Sequence, residues 1–383
     1  MENKKMKKIS IIALHLGFGG VENSICSLAN MLCDDYNVEI ISTYKILDKP
    51  AFYINPKINI KYLIKDLKPN KTELKNAIKS IRIISIIKEV LKSIKILYLK
   101  KHRLINELRN LDSDIIITTR AIHNKWVGKY AKRNTIKIAQ EHNHHNNNRK
   151  YINNLMRSLS KTDYLMPVSD ELTKFYAQKL KNKKIKCCYI PHCIDYYPEK
   201  TSKLDGNNII SVGRLEKEKG YLDLIDIFED VHNYYTNWTL NIVGDGTEKE
   251  LIQKKVTENG LENNVILHGL KSKQELEPIY LNSSIYVMTS YTESFGLVLI
   301  EAESYGLPLI AFDSAQGANE IIDNNINGYL ISNRNKTEMS NKIIELIKDV
   351  NLRQQLGLNG RIISEQYKKQ NIKNIWINFL KNI

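Results

Sequence analysis

Short, nearly unbroken apolar runs alternate along the chain with longer stretches whose apolar residues recur every three or four positions. The runs Lys8–His15, Val38–Thr43, Ile58–Leu63, Ile115–Thr119, Ile136–Gln140, Tyr164–Val168 and Lys186–Ile190 predict a first series of strands. Bounded by Gly, Asp or Asn and rich in β-branched residues, they read as strands buried on both faces. A polar stretch from Glu199 to Asn208, just after Pro198, reads as a linker. The pattern restarts with Ile209–Val212, Thr239–Val243, Val265–His268, Ile285–Thr289, Leu309–Phe312 and Tyr329–Ile331. Two series of βα units predict an α/β protein of two Rossmann-like domains facing a central cleft, with ligands at the carboxyl ends of the strands. At 383 residues the chain also exceeds what one hydrophobic core usually serves. The expected domains are 1–197 and 198–364, with a last helical stretch, 365–383, crossing back onto the first.

Charge changes the picture of the first half. Residues 1–200 hold 38 Lys and Arg against 18 Asp and Glu, whereas 201–383 hold 19 against 24. Much of the surplus lies in Lys61–Arg109, with 14 basic and 4 acidic residues and apolar positions at helical spacing (Ile78, Ile81, Ile84, Ile87, Leu91, Ile94, Leu97). A basic amphipathic helix of this kind suits an anionic membrane surface. The plainer alternative packs the same stripe into the core. Nucleic acid is not expected as a partner, since no recognised binding module or basic patch interleaved with aromatics is present. Five cysteines without framework spacing point to reduced thiols and a cytoplasmic location. Ile9–Leu16 reads as a first strand rather than the core of a signal peptide, and no run approaches the roughly 20 apolar residues of a membrane-spanning helix.

Candidate chemistry concentrates at strand ends. Strand Ile209–Val212 leads into Gly213-Arg214, with Lys219-Gly220 five residues on. Two cations there suit a diphosphate on which charge builds as a sugar bond breaks. Strand Ile285–Thr289 runs into Glu293, then Phe295-Gly296-Leu297 at a helix start whose N–H groups suit a phosphate, with Glu301 about two turns in. Two carboxylates beside phosphates are better used on sugar and ribose hydroxyls than on the diphosphate. Taken singly, each element has a plain reading: a solvated turn, a helix cap, a surface charge. At the first strand, Gly17-Phe18-Gly19-Gly20-Val21-Glu22 has G-x-G but places Glu22 at the third glycine position, which argues against a nicotinamide enzyme.

Taken together and in order, these pieces resemble family 4 of the retaining glycosyltransferases. The resemblance rests on Gly19 to Glu22, His142 after a mid-domain strand, Ile190-Pro191-His192-Cys193-Ile194-Asp195, Gly213-Arg214 with Lys219-Gly220, Val243-Gly244-Asp245-Gly246, and the pair Glu293 and Glu301. It implies a GT-B fold with an acceptor domain first and a donor domain second. It further implies that Arg214 and Lys219 clamp the diphosphate, Glu293 meets the donor sugar and Glu301 the ribose. Phe295, Gly296 and Leu297 would line the donor site, Gly19 and Gly20 let the backbone approach phosphate, and His142 stands beside the reacting sugar. The implied reaction transfers a hexose or N-acetylhexosamine from a nucleotide sugar, UDP-linked before GDP-linked; the basic helix in turn points to a lipid-linked or cell-envelope glycan acceptor at the inner face of the cell membrane.

Departures from the family pattern are His192-Cys193, where relatives commonly carry Asn-Gly, and the histidine-rich run Glu141 to His145. Metal binding by His142 and His145 is the alternative use of that run. The resemblance implies cations in place of a metal, and no cofactor beyond the nucleotide-sugar co-substrate. Two rival functions share the architecture: a nucleotide-sugar 2-epimerase and a non-catalytic membrane-associated subunit.

Overall fold

The computed structural model describes residues 6–383. They form two compact units, the first comprising the chain up to Val168, Leu172–Ile190 and Lys373–Ile383, the second Ser169–Glu171 and Pro191–Ile372.

The first unit is built on strands β1 (Lys8–Ala13), β2 (Asn37–Tyr44), β3 (Asn59–Ile64), β4 (Ile115–Thr118), β5 (Ile136–Glu141), β6 (Tyr164–Pro167) and β7 (Lys186–Cys187). They form one sheet in the order β3-β2-β1-β4-β5-β6-β7, and every pair is parallel. The edge strand β7 has only two residues, because the chain leaves the ladder after Cys188 donates to the Leu165 carbonyl. The second unit holds β8 (Asn208–Val212), β9 (Thr239–Val243), β10 (Val265–Leu267), β11 (Ile285–Met288), β12 (Leu309–Phe312) and β13 (Gly328–Ile331), again all parallel, in the order β10-β9-β8-β11-β12-β13.

Side chains alternate across a strand, so every second residue can serve one core. Leu240 and Ile242, Ile285 and Val287, Ile310 and Phe312, Tyr329 and Ile331 fill one face of the second sheet. The helix Tyr221–His232 meets them with Leu224, Ile225, Phe228 and Val231, a three-and-four spacing that sets one stripe inward. Each such side chain, fully buried, contributes about 1.5–3 kcal/mol of transfer free energy.

The stretch after Pro198 is not a loose linker. Arg353 donates twice to the Leu204 carbonyl, Ser202 bonds Tyr305 and Ser283, and Leu204 is buried, so the segment is fastened within the second unit. Pro191–Tyr197, which the sequence places in the first domain, groups with the second. The last helix, Lys369–Lys381, ties into the first unit through Lys373 and Asp35 (2.8 Å) and the edge contact of Phe379 with Tyr164.

The basic region after β3 is a helical hairpin, not one helix. Helices Lys71–Lys79 and Ile83–Asn110 are joined by a turn in which Ile81 adopts φ +52°. Asn70, at the start of the first, bonds Glu89 and Ser93 of the second, which fixes them antiparallel.

Candidate functional site

In each sheet the strand order reverses once, between β1 and β4 and between β8 and β11. Connections leave in opposite directions at such a point, so a crevice opens at the carboxyl ends of those two strands. In the second unit the loops at that crevice carry Arg214 and Lys219 after β8, and Glu293 after β11.

Lys219 and Glu293 meet. The ammonium donates to Glu293 Oε2 at 2.5 Å, with both side chains largely buried. They are brought together by their backbones. Lys219 closes a short 3₁₀ turn, Lys217–Lys219, and Gly220 follows at φ +68°. Any Cβ at Gly220 would run into the Thr289 carbonyl, so glycine is required both for conformation and for the close approach. Thr289 Oγ1 then donates to the Gly220 carbonyl (2.9 Å), and the Tyr291 amide to the Glu218 carbonyl (2.8 Å). Arg214 stands apart from this pair. Its side chain is 68% exposed and bonds Glu218 at 2.9 Å.

Two residues that sequence reasoning missed hold the β11 loop. Arg334 donates to the carbonyls of Thr289 (2.9 Å) and Ser290 (3.0 Å), to Ser314 Oγ (3.1 Å) and to Asp223 (2.6 Å). Its guanidinium also lies 3.6 Å from the centre of the Tyr291 ring and 4.3 Å from that of Phe312. Arg334 itself has φ +51°, a conformation costing about 1–2 kcal/mol for an L-residue. Burial alone raises the Asp223 carboxyl. The hydrogen bonds from Lys336, Arg334 and Tyr291 outweigh that and hold it at about 2. No local pattern marks Arg334, which lies 111 positions from Asp223.

After Glu293 the chain turns at Gly296, φ +91°, into the helix Leu297–Ser304. The Phe295 side chain is buried, edge-on to His192 (5.2 Å) and Tyr367 (6.2 Å). Burial pushes His192 down to about 4. Gly296 and Leu297 supply helix-start N–H groups, which lack intrahelical acceptors. Glu301 lies little more than one turn into the helix, not two. It lines a small cavity with Tyr196, Lys273, Leu276, Tyr280, Ser304 and Tyr305, and Glu293 is not part of that lining. Desolvation pushes Glu301 up to about 7, with Lys273 opposing and Asp195 reinforcing the shift.

In the first unit, Gly19 and Gly20 form the turn between β1 and the helix Gly20–Leu32. The buried Glu22 just inside that helix pairs with Arg120 (3.3 Å), a residue at the end of β4 that the sequence did not single out. His15 Nδ1 accepts the Gly17 amide (3.2 Å), and burial lowers the imidazole's pKa against the opposing charge of Glu22. His142 follows β5 directly and is half-buried. Its predecessor Glu141 is buried; burial raises its carboxyl, against the Tyr151 hydroxyl (2.7 Å) and the Asn143 amide (3.1 Å) that donate to it. His145, considered above as a metal ligand, is buried among Phe175 and Tyr176 and accepts the Asn147 amide. Among the described residues no group of three or more His, Cys, Asp or Glu side chains is placed to hold a metal ion.

The family described as Glycosyl transferases group 1 matches residues 195–362, nearly all of the second unit. An uncharacterized glycosyltransferase of Haemophilus influenzae is 28% identical over 379 residues, covering 97% of this chain and 99% of its own. A poly(ribitol-phosphate) alpha-N-acetylglucosaminyltransferase of Staphylococcus aureus is 32% identical over 185 residues, 48% of this chain and 36% of the relative. The chain therefore spans only about a third of that second relative. Among solved structures, Anabaena Alr3699/HepE in complex with UDP superposes with a TM-score of 0.74 at 16% identity, over 99% of this chain and 100% of that one. Similarity at that identity establishes the fold, which is GT-B: two Rossmann-like, parallel-sheet domains.

Proposed function

We propose that this chain, whose second unit matches the glycosyl transferases group 1 family, transfers a hexose or N-acetylhexosamine from a UDP-sugar to a cell-envelope glycan acceptor, with retention at the anomeric carbon, as family 4 enzymes do. The observation that carries the reading is the Lys219–Glu293 pair at the β8/β11 switch point.

A diphosphate offers Lys219 a partner of higher charge than one carboxylate. Binding it would draw the ammonium off Glu293 and free that carboxylate to accept from hydroxyls of the donor sugar. Arg214, on an exposed arm, swings from Glu218 to the same phosphates, and the helix-start amides of Gly296 and Leu297 add dipoles aimed at them. Charge builds on the leaving diphosphate as the glycosidic bond breaks, so these donors act most strongly in the transition state. Glu301, raised toward neutrality, can both donate to and accept from ribose hydroxyls. In the first unit His142 and the Gly19–Gly20 turn carry the roles the family gives them, beside the sugar and the phosphate. The leaving charge is met by cations, without a metal. The UDP-bound HepE and the poly(ribitol-phosphate) enzyme support the choice of nucleotide and of envelope polymer. The chemistry belongs on the cytoplasmic side, where nucleotide sugars are made.

Turnover of a panel of UDP- and GDP-sugars, read as donor hydrolysis and as transfer, tests the proposal. Lys219→Ala and Arg214→Ala are each expected to lower kcat about 100-fold or more. Full activity in both variants, or release of an epimerised donor without acceptor, would overturn it.

A further inference from the structure

The hairpin Lys71–Lys79 and Ile83–Asn110 leaves its apolar stripe in solvent. Ile84, Ile87, Leu91, Ile94 and Tyr98 step by three or four along the long helix, share one face and are all exposed. At the tip, Ile81 is 81% exposed and Ile84 85%. The core takes other residues of the same helix: Ile96, Leu104, Ile105 and Leu108. Cations flank the stripe. Lys88 and Lys95 lie one turn beyond Ile84 and Leu91, and Lys71, Lys75 and Lys79 line the first helix at four-residue spacing, all exposed. Over residues 71–110 there are 11 Lys and Arg against 3 Asp and Glu.

An exposed aliphatic face of this extent marks a surface that something covers, and its charge says what. We propose that the hairpin docks onto an anionic lipid bilayer, with the isoleucines of its tip and stripe among the acyl-chain ends of the headgroup layer and its lysines on lipid phosphates. A second copy of the chain would set two strongly basic faces together, and like charges oppose that contact. Nucleic acid would leave the aliphatic stripe uncovered. Among the described residues no helix is long and apolar enough to cross a membrane, so the contact is with one leaflet. This inference stands apart from the donor-site reading, since it uses none of the same residues.

The test is co-sedimentation of the full-length protein with vesicles of phosphatidylcholine alone or of equimolar phosphatidylcholine and phosphatidylglycerol. The protein is expected on the anionic vesicles and not on the neutral ones, with binding weakened by salt. The variants Ile84→Glu with Ile87→Glu, and Lys88→Glu with Lys95→Glu, should each cut the bound fraction about tenfold or more. Both pairs are solvent-facing, so circular dichroism should be unchanged. Equal binding to the two vesicle types, or wild-type binding by both variants, overturns the proposal. So does a wild-type dimer in sedimentation velocity that Ile84→Glu with Ile87→Glu converts to monomer, since the stripe then belongs to a second copy.

Discussion

Among individual residues, the clearest tension is in a carboxyl away from the candidate donor contacts. Glu303 is fully buried on the helix Leu297–Ser304; its Oε1 accepts from Asn327 at 2.5 Å, and Oε2 has no hydrogen-bond partner. Desolvation, against the help of Asn327, pushes it up to about 8. An unfolded glutamate titrates near 4.3, so between about pH 4 and pH 8 the unfolded chain ionises while the fold holds the proton. Stability from this residue is therefore complete below that window and declines across it as pH rises. Glu303→Gln keeps the acceptor for Asn327 and carries no charge. It is expected to be more stable than wild type at pH 8 by on the order of a few kcal/mol, read as a higher thermal midpoint, and to differ little at pH 4. Equal pH slopes for wild type and variant would refute this. The residues of the candidate site divide in the same physical way. Lys219 and Glu293 could be named from the sequence because both lie next to strand ends, where ligands bind in any such sheet. Their direct pairing could not, because it depends on two loops 74 positions apart.

On the scale of elements, the loop from Thr289 to Gly296 owes its shape to a distant side chain. Arg334 ties two of its carbonyls to Asp223 and stacks on Tyr291, while Gly296 at φ +91° turns it into the helix. Arg334→Met would leave those carbonyls and part of Asp223 unanswered. A loss of about 2–4 kcal/mol in chemical denaturation is expected. Asp223 adds a signature in acid. Its folded value, near 2, lies below the unfolded value of about 3.9, so its contribution is present above pH 4 and fades as pH falls toward 2. In the Met variant the folded value moves up toward the unfolded one, so Asp223 contributes less and its loss is complete at a higher pH, and acid unfolding should move upward. An unchanged acid midpoint would show that Lys336 and Tyr291 hold Asp223 unaided. The hairpin shows the complementary limit. Its helical periodicity was plain, yet one stripe can serve a core or a surface, and the pattern is identical in both cases. Only the placement of Ile96, Leu104 and Leu108 on the sheet decides which face turns outward.

At the level of the whole molecule, two separately built sheets lie in halves of the chain that differ in net charge. If the second unit binds UDP, ligand stabilises the state that binds it, by about 2.7 kcal/mol at a hundredfold excess over Kd. Hydrogen exchange should then slow at Lys217–Gly220 and Ser290–Val298, with the hairpin at residues 71–110 unaffected. Protection confined to the first unit would contradict the donor assignment.

The order of thirteen apolar runs, the two-domain plan and the placing of Arg214, Lys219 and Glu293 just after strands were all determined by the sequence itself, because burial on both faces of a parallel sheet demands local, periodic patterns. Three features were decided only in three dimensions: the fastening of the Glu199–Asn208 stretch by Arg353, the clasp of Arg334 on the β11 loop, and the outward turn of the isoleucine stripe. Each depends on side chains meeting across long separations in sequence, and no local periodicity encodes which distant partner a side chain will find.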